Sequence, residues 1–211
     1  MFQSALLRKI YFDTLNIMNG LVNKNNKVLR GKAKDIPLSE IGGAKIKSVL
    51  AEMKRALHAE EDGVAIAAPQ IGVPLRIFIV AGRAFDISYV DGGEIIKKGG
   101  EKTRETAKKK LRDFICINPV ITNKSRATAF MVEGCLSLRW LYGSVKRSKK
   151  VTIEAYDEHG KRFTRGASGL LAQIFQHETD HLDGILFTDK ARDIENIPPE
   201  VQKEHEKLHE K

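Results

Sequence analysis

Apolar residues recur along this chain at two different spacings, and each spacing predicts its own kind of element. Ile46, Val49, Leu50, Met53 and Leu57 fall three or four apart, which predicts an amphipathic helix from about Ile46 to His58, with a turn at Gly63 behind it. Leu6, Leu7, Ile10, Tyr11, Leu15, Ile17 and Met18 repeat the spacing and predict a short amphipathic helix near the start. Contiguous apolar runs read differently. Residues 75–80 are short, β-branched and bounded by Pro74 and Gly82, so they predict a buried strand, as do residues 114–120 and 151–156. Residues 157–161 form a turn that joins the last of these to a strand at 162–164, making a hairpin. Residues 82–112 break every pattern, with Lys97, Lys98, Lys102, Arg104, Lys108, Lys109, Lys110 and Arg112 against Glu101 and Glu105, and read as an exposed basic insertion. Residues 198–211 read as a charged surface helix.

Composition narrows the class. The chain's 211 residues suffice for one well-buried core, and 42% hydrophobic with 30% charged residues describes an ordinary globular protein. No apolar run approaches the roughly eighteen residues of a membrane span, so no membrane role is expected. Residues 1–20 lack the uninterrupted apolar stretch of a signal peptide. A net charge of +9 favours polyanions such as RNA, but no nucleic-acid module accompanies it, so sequence-specific binding is not expected. Two cysteines, Cys116 and Cys135, exclude a disulfide framework and point to a reducing compartment, the cytoplasm.

The chemistry concentrates at His177-Glu178-Thr179-Asp180-His181, behind the largely apolar frame of residues 170–176. Residues four apart share a helix face, so two imidazoles can converge on one ion while Glu178 stays free to carry protons. A catalytic metal site takes three protein ligands and leaves a position for water. Cys135, beside Gly134 and after the strand-like residues 130–132, is the candidate third ligand, its alternative being a small buried hydrophobe. In residues 63–72, small side chains allow close approach by a ligand, and Gln70 offers an amide to a developing oxyanion.

Three segments, residues 63–72, 133–137 and 176–182 with Gly184 behind, closely resemble in order and separation the three signature motifs of the peptide deformylase family. Residues 26–30 resemble its opening segment, and the likeness covers roughly residues 28–191. Residues 1–25 are then an N-terminal extension, expected to be helical; 26–191 a catalytic domain with the insertion at about 82–112; and 192–211 a charged C-terminal segment, also expected to be helical. The resemblance implies an α+β fold, with antiparallel sheets packed around a central metal-binding helix. It implies one divalent ion on Cys135, His177 and His181: Fe2+ in cells, with Zn2+, Ni2+ or Co2+ possible. It gives Glu178 the role of general acid and base, and sets Gln70 and the Leu136 N–H against the formyl oxygen. Glu133 is expected to pair with Arg147 and brace the cysteine segment. The implied reaction is removal of the formyl group from formyl-methionyl nascent peptides by water activated at the metal, with release of formate. Ile174 and Leu170, three and seven residues before His177, lie on its side of the helix and are expected to line the methionine pocket, although core packing serves Leu170 equally well. Ala65 and Ile66 are expected to border the substrate, and the basic surface to contact the ribosome.

Two departures from the family pattern stand out. Ala65 replaces the usual second glycine of the first motif, and Arg139 replaces the usual proline after the second, which remodels the rim around Trp140. The rival readings are a metallopeptidase of the HExxH type, a catalytically silent relative that binds N-termini or the ribosome, and a purely structural metal site.

Overall fold

The computed structural model describes residues 17–18, 20–85 and 112–200. In chain order the elements are β1 (Ile17–Met18), β2 (Leu21–Val22), α1 (Ala44–Ala59), β3 (Ala65–Ala67), β4 (Ile77–Val80), β5 (Phe114–Lys124), β6 (Thr128–Gly134), β7 (Leu141–Ser148), β8 (Lys150–Tyr156), β9 (Arg162–Ser168), α2 (Gly169–Leu182) and β10 (Arg192–Asn196). All of these strands pair antiparallel: β1 with β2, a sheet in the order β3-β4-β5-β8-β9, and a sheet in the order β10-β7-β6. This is the expected α+β architecture.

At β3 and β4 the larger sheet is covered on both faces, which explains why residues 77–80 are a solid apolar run with no polar alternation. Ile77 and Ile79 pack with Ile46, Leu50, Met53 and Leu57 of α1. Phe78 and Val80 join Cys116, Ile153 and the Ala172, Ile174 and Phe175 of α2 on the other face. Phe175 anchors that layer, its ring centroid 5.9 Å from Phe78 and 6.1 Å from Phe114. Hence α2 is the helix between the sheets, and its polar residues are forced into the interior.

Several elements differ from the expectations. The helix expected over residues 6–18 lies outside the described residues except at its end, where Ile17–Met18 is strand. Leu21 and Val22, within the expected extension, are buried in the body. Strand β5 runs on to Lys124. Residues 82–85 form a 3-10 turn with Gly82 and Ala84 buried, so they belong to the core rather than to an exposed insertion; residues 86–111 lie outside the described residues. Residues 192–196, expected in a helical tail, form β10 on the edge of β7, and helix begins only at residue 199, most of the expected terminal helix lying outside the described residues. Among the described residues no helix is long and apolar enough to cross a membrane.

Candidate metal centre

α2 is fixed in place by its own polar side chains. Gln176 Nε2 donates to Ser148 O at 3.0 Å while its Oε1 accepts from Ser148 N–H at 3.0 Å, and Gln173 Nε2 donates to Val132 O at 2.8 Å. These bonds hold the helix against β7 and β6, the latter at Val132, three residues before Cys135. The structure brings Cys135, His177 and His181 together, with one ligand atom from each lying within 4.8 Å of the others. Cys135 Sγ is 3.2 Å from His181 Nε2. Tetrahedral coordination at ordinary metal–sulfur and metal–nitrogen bond lengths separates donor atoms by about 3.5 Å, so this set fits one ion.

Two further observations support that fit. Among the described residues Glu178 Oε2 is buried without a hydrogen-bond partner, a costly arrangement that a water or other polar guest beside the three donors relieves. Burial, reinforced by His177, lowers the pKa of His181 well below its ordinary value, so the ring is neutral and free to ligate.

The second layer is an ion-pair chain. His177 Nδ1 bonds Glu133 Oε2 at 2.9 Å, which leaves Nε2 for the centre. Arg147 grips Glu133 with both ends of its fork, at 2.7 and 2.8 Å, and its third nitrogen donates to Asp180 Oδ2 at 2.6 Å. Lys190 Nζ completes the chain on Asp180 Oδ1 at 2.7 Å. Burial opposes a charge on Glu133, yet Arg147 and His177 outweigh it and bring the pKa down to about 2. Asp180 and Lys190 were not anticipated, because nothing in the spacing of a helix reveals which side chain will meet an arginine on a distant strand.

Glu178 lies on the same buried helix, and burial pushes its pKa up to about 7. It is therefore poised to give or take a proton near neutral pH. Gln70 is fully built in: its Oε1 accepts from Ala67 N–H at 2.8 Å, and its Nε2 points toward Cys135 Sγ and Ser137 Oγ, each 3.5 Å away. Those two contacts are long, so the amide N–H has capacity for a better acceptor. Leu136 opens the 3-10 turn Leu136–Leu138, where a first N–H lacks a partner inside the turn.

A cleft of about 350 Å³ opens from this centre. Gln70, Cys135, Leu136, His177 and Glu178 line its head, and Leu170 and Ile174 one flank. Ala65 borders it too, although its methyl is packed among Phe78, Ile174 and Phe175. Ile66 is the exception: its side chain is fully buried among the α1 residues on the opposite face of β3 and does not line the cleft. The alternation of a strand sends neighbours to opposite faces, so Ala65 and Ile66 cannot both border the cleft with their side chains. Arg139, flagged as a departure, forms ion pairs with Glu60 and Asp62.

A sequence model of the family described as polypeptide deformylase matches residues 18–196. Peptide deformylase 1A of Arabidopsis thaliana, designated chloroplastic/mitochondrial, is 36% identical over 182 residues, covering 84% of this chain and 64% of that protein. Peptide deformylase 2 of Clostridium acetobutylicum is 38% identical over 164 residues, covering 78% of this chain and 89% of that protein. The chain thus spans about 64% of the length of the plant relative. Among solved structures, peptide deformylase 1B of Arabidopsis thaliana in complex with an inhibitor matches with a TM-score of 0.63 and 31% identity, over 82% of this chain and 81% of that one. The actinonin-bound class I type b peptide deformylase of Acinetobacter baumannii matches with a TM-score of 0.65 and 26% identity, over 82% and 97%.

Proposed function

Because this chain belongs to the polypeptide deformylase family, we propose that it is a metal-dependent hydrolase that removes the formyl group from N-formylmethionyl peptides and releases formate. The observation that carries this reading is the convergence of Cys135, His177 and His181 beside the buried Glu178 carboxyl, at the head of an open cleft. A divalent ion held by these three residues supplies Lewis acidity, polarising a carbonyl and bringing the pKa of water toward neutrality. Glu178 takes a proton from water and returns it to the departing amine. Gln70 Nε2 and the Leu136 N–H donate to the formyl oxygen as it gains charge. Ile174 and Leu170 receive the methionine side chain.

Two strand edges receive the peptide backbone. The Val64 carbonyl accepts from Ala81 N–H at 2.8 Å, on the β4 side, so the N–H and C=O of Ala65 turn to the open edge of β3. β6 is likewise an edge strand, and its Gly134 borders the cleft. A Cβ at Gly134 would come within 2.8 Å of the Tyr142 ring, so a side chain here would have to displace that ring. Main-chain pairing of this kind suits a substrate whose later residues vary.

Fe2+ is the ion we assign in cells, from the resemblance, and Zn2+, Ni2+ and Co2+ suit the same donors. Two free thiols suit a reducing compartment, and we assign the protein to the cytoplasm. Contact with the polyanionic ribosome is supported by the +9 charge and by Lys124, Arg126, Lys146, Lys149 and Lys150. These are exposed on and beside two adjoining turns, where Lys149 N–H bonds Ala127 O and Ser125 N–H bonds Lys150 O, both at 2.9 Å. Ribosome co-sedimentation at low salt that disappears at raised salt supports the contact, and its absence at low salt rejects it.

The deciding experiment is formate release from formyl-Met-Ala-Ser by protein purified anaerobically and analysed for metal. Wild type is expected to release formate, and Glu178→Ala to retain metal while losing about 10²- to 10⁴-fold in rate. No formate from the metal-loaded wild type would instead favour a silent relative that binds N-termini. Cleavage of a peptide bond would favour a metallopeptidase, a class whose third ligand follows the helix, whereas Cys135 precedes it.

A further inference from the structure

We propose that Arg139 is a specificity-determining residue: it ties the two walls of the cleft together and so sets the passage taken by the third and later residues of the peptide. The inference deepens the deformylase reading and rests on it. One wall is residues 62–65, leading into β3, and the other includes residues 132–136 and 139–142. Arg139 joins them. Its Nη1 donates to Asp62 Oδ2 at 2.6 Å, and its Nη2 to Asp62 Oδ1 at 3.0 Å and to Glu60 Oε2 at 2.6 Å. The guanidinium carbon also sits 5.0 Å from the centre of the Trp140 ring. Asp62, Arg139 and Trp140 all line the cleft.

The loop that Arg139 holds is anchored from behind. Arg83 Nε donates to Gly63 O at 2.7 Å, and its Nη2 to Glu60 O at 2.7 Å and Leu57 O at 3.1 Å, at the C-terminal end of α1. Gly63 N–H is bonded to Glu60 O at 3.2 Å. Residue 63 therefore has no main-chain group to spare, and the open edge of β3 ends at Ala65. A peptide whose formyl group faces Gln70 leaves along that edge toward Gly63. At about 3.3 Å per residue, it reaches the Asp62–Arg139 tie a few residues beyond the formyl end.

The Asp62 carboxylate is 58% exposed, and a pair so open to water contributes little to stability, so the value of its tie to Arg139 lies in geometry. A forked guanidinium on two carboxylates is a directional lock that a lysine cannot reproduce. With the lock closed, cleft width is set before substrate arrives, and less ordering is left to the binding step. Shorter peptides do not reach it. The tie therefore favours long peptides through KM rather than kcat.

The test compares formyl-Met-Ala with formyl-Met-Ala-Ser-Ala on metal-loaded wild type, Arg139→Lys, Arg139→Ala and Asp62→Asn, with circular dichroism confirming that each variant is folded. Trp140 is the chain's only tryptophan, so its fluorescence reports cleft occupancy independently of turnover. In all three variants the KM of the longer peptide is expected to rise about tenfold, and its fluorescence-derived affinity to fall as much, relative to the shorter one, with kcat changing far less. Equal losses on both peptides, loss in kcat alone, or full function in Arg139→Lys overturns the proposal. If wild type releases no formate but Trp140 still shows length-dependent binding that the variants lose, the deformylase reading fails and the tie stands. If Trp140 responds to neither peptide, the tie fails as well.

Discussion

At the scale of single residues, the three donors were legible because their chemistry is written in fixed spacing: two imidazoles one turn apart and a cysteine behind a glycine. Gln70 was legible as an amide in a loop of small residues, but its fixed orientation was not, since that depends on the bond from Ala67 N–H. That bond supports a prediction. With Oε1 held, Nε2 is aimed before the substrate binds, and Gln70→Ala is expected to lower kcat by about 10²- to 10³-fold with metal content unchanged, as loss of one preorganised oxyanion donor does. Steady-state formate kinetics with metal analysis checks it. Ile66 marks where residue-level reading failed, because a strand allows only alternate side chains to face the cleft, and the sequence did not reveal which set that would be.

At the scale of elements, the buried strand at 77–80 and the helix of α1 were readable from apolar spacing, whereas β10 was not. Arg192-Asp193-Ile194-Glu195-Asn196 is exposed throughout and has no apolar alternation; only its pairing with β7 makes it a strand. The same blindness to long-range partners hid the carboxylates of Arg139, which lie 77 and 79 residues away. The brace between β6 and β7 was expected from the resemblance, and its burial sets a magnitude. Glu133→Ala strips two of the three bonds from Arg147, at 4% side-chain exposure, and leaves it Asp180 alone, so a loss of about 3 kcal/mol is expected in denaturant unfolding, along with weaker metal retention. The rim tie behaves differently with pH. Its bond to Arg139 holds the Asp62 carboxyl below its ordinary pKa of 3.8, so whatever the pair contributes is complete above that value and fades only as acid titrates the folded carboxyl. The preference for longer peptides is therefore expected to stay flat between about pH 5 and pH 9, measured as the ratio of the two KM values.

At the scale of the whole molecule, the sheets converge on one buried helix, and the ligands come from two segments that meet only in the folded chain. A guest that binds only the folded form stabilises it by mass action, about 2.7 kcal/mol when present at a hundred times its dissociation constant. Chelation is accordingly expected to lower Tm and abolish formate release together, with both restored on adding back the metal, followed by thermal melts and activity in parallel. The two cysteines end up in opposite circumstances: Cys116 is fully enclosed beneath α2, where burial raises its pKa, while Cys135 opens onto the cleft. An alkylating reagent such as iodoacetamide should thus modify native protein at one position alone, and a coordinated ion should shield that position. Mass spectrometry of the adduct would then count, molecule by molecule, how much of a preparation is in its apo form.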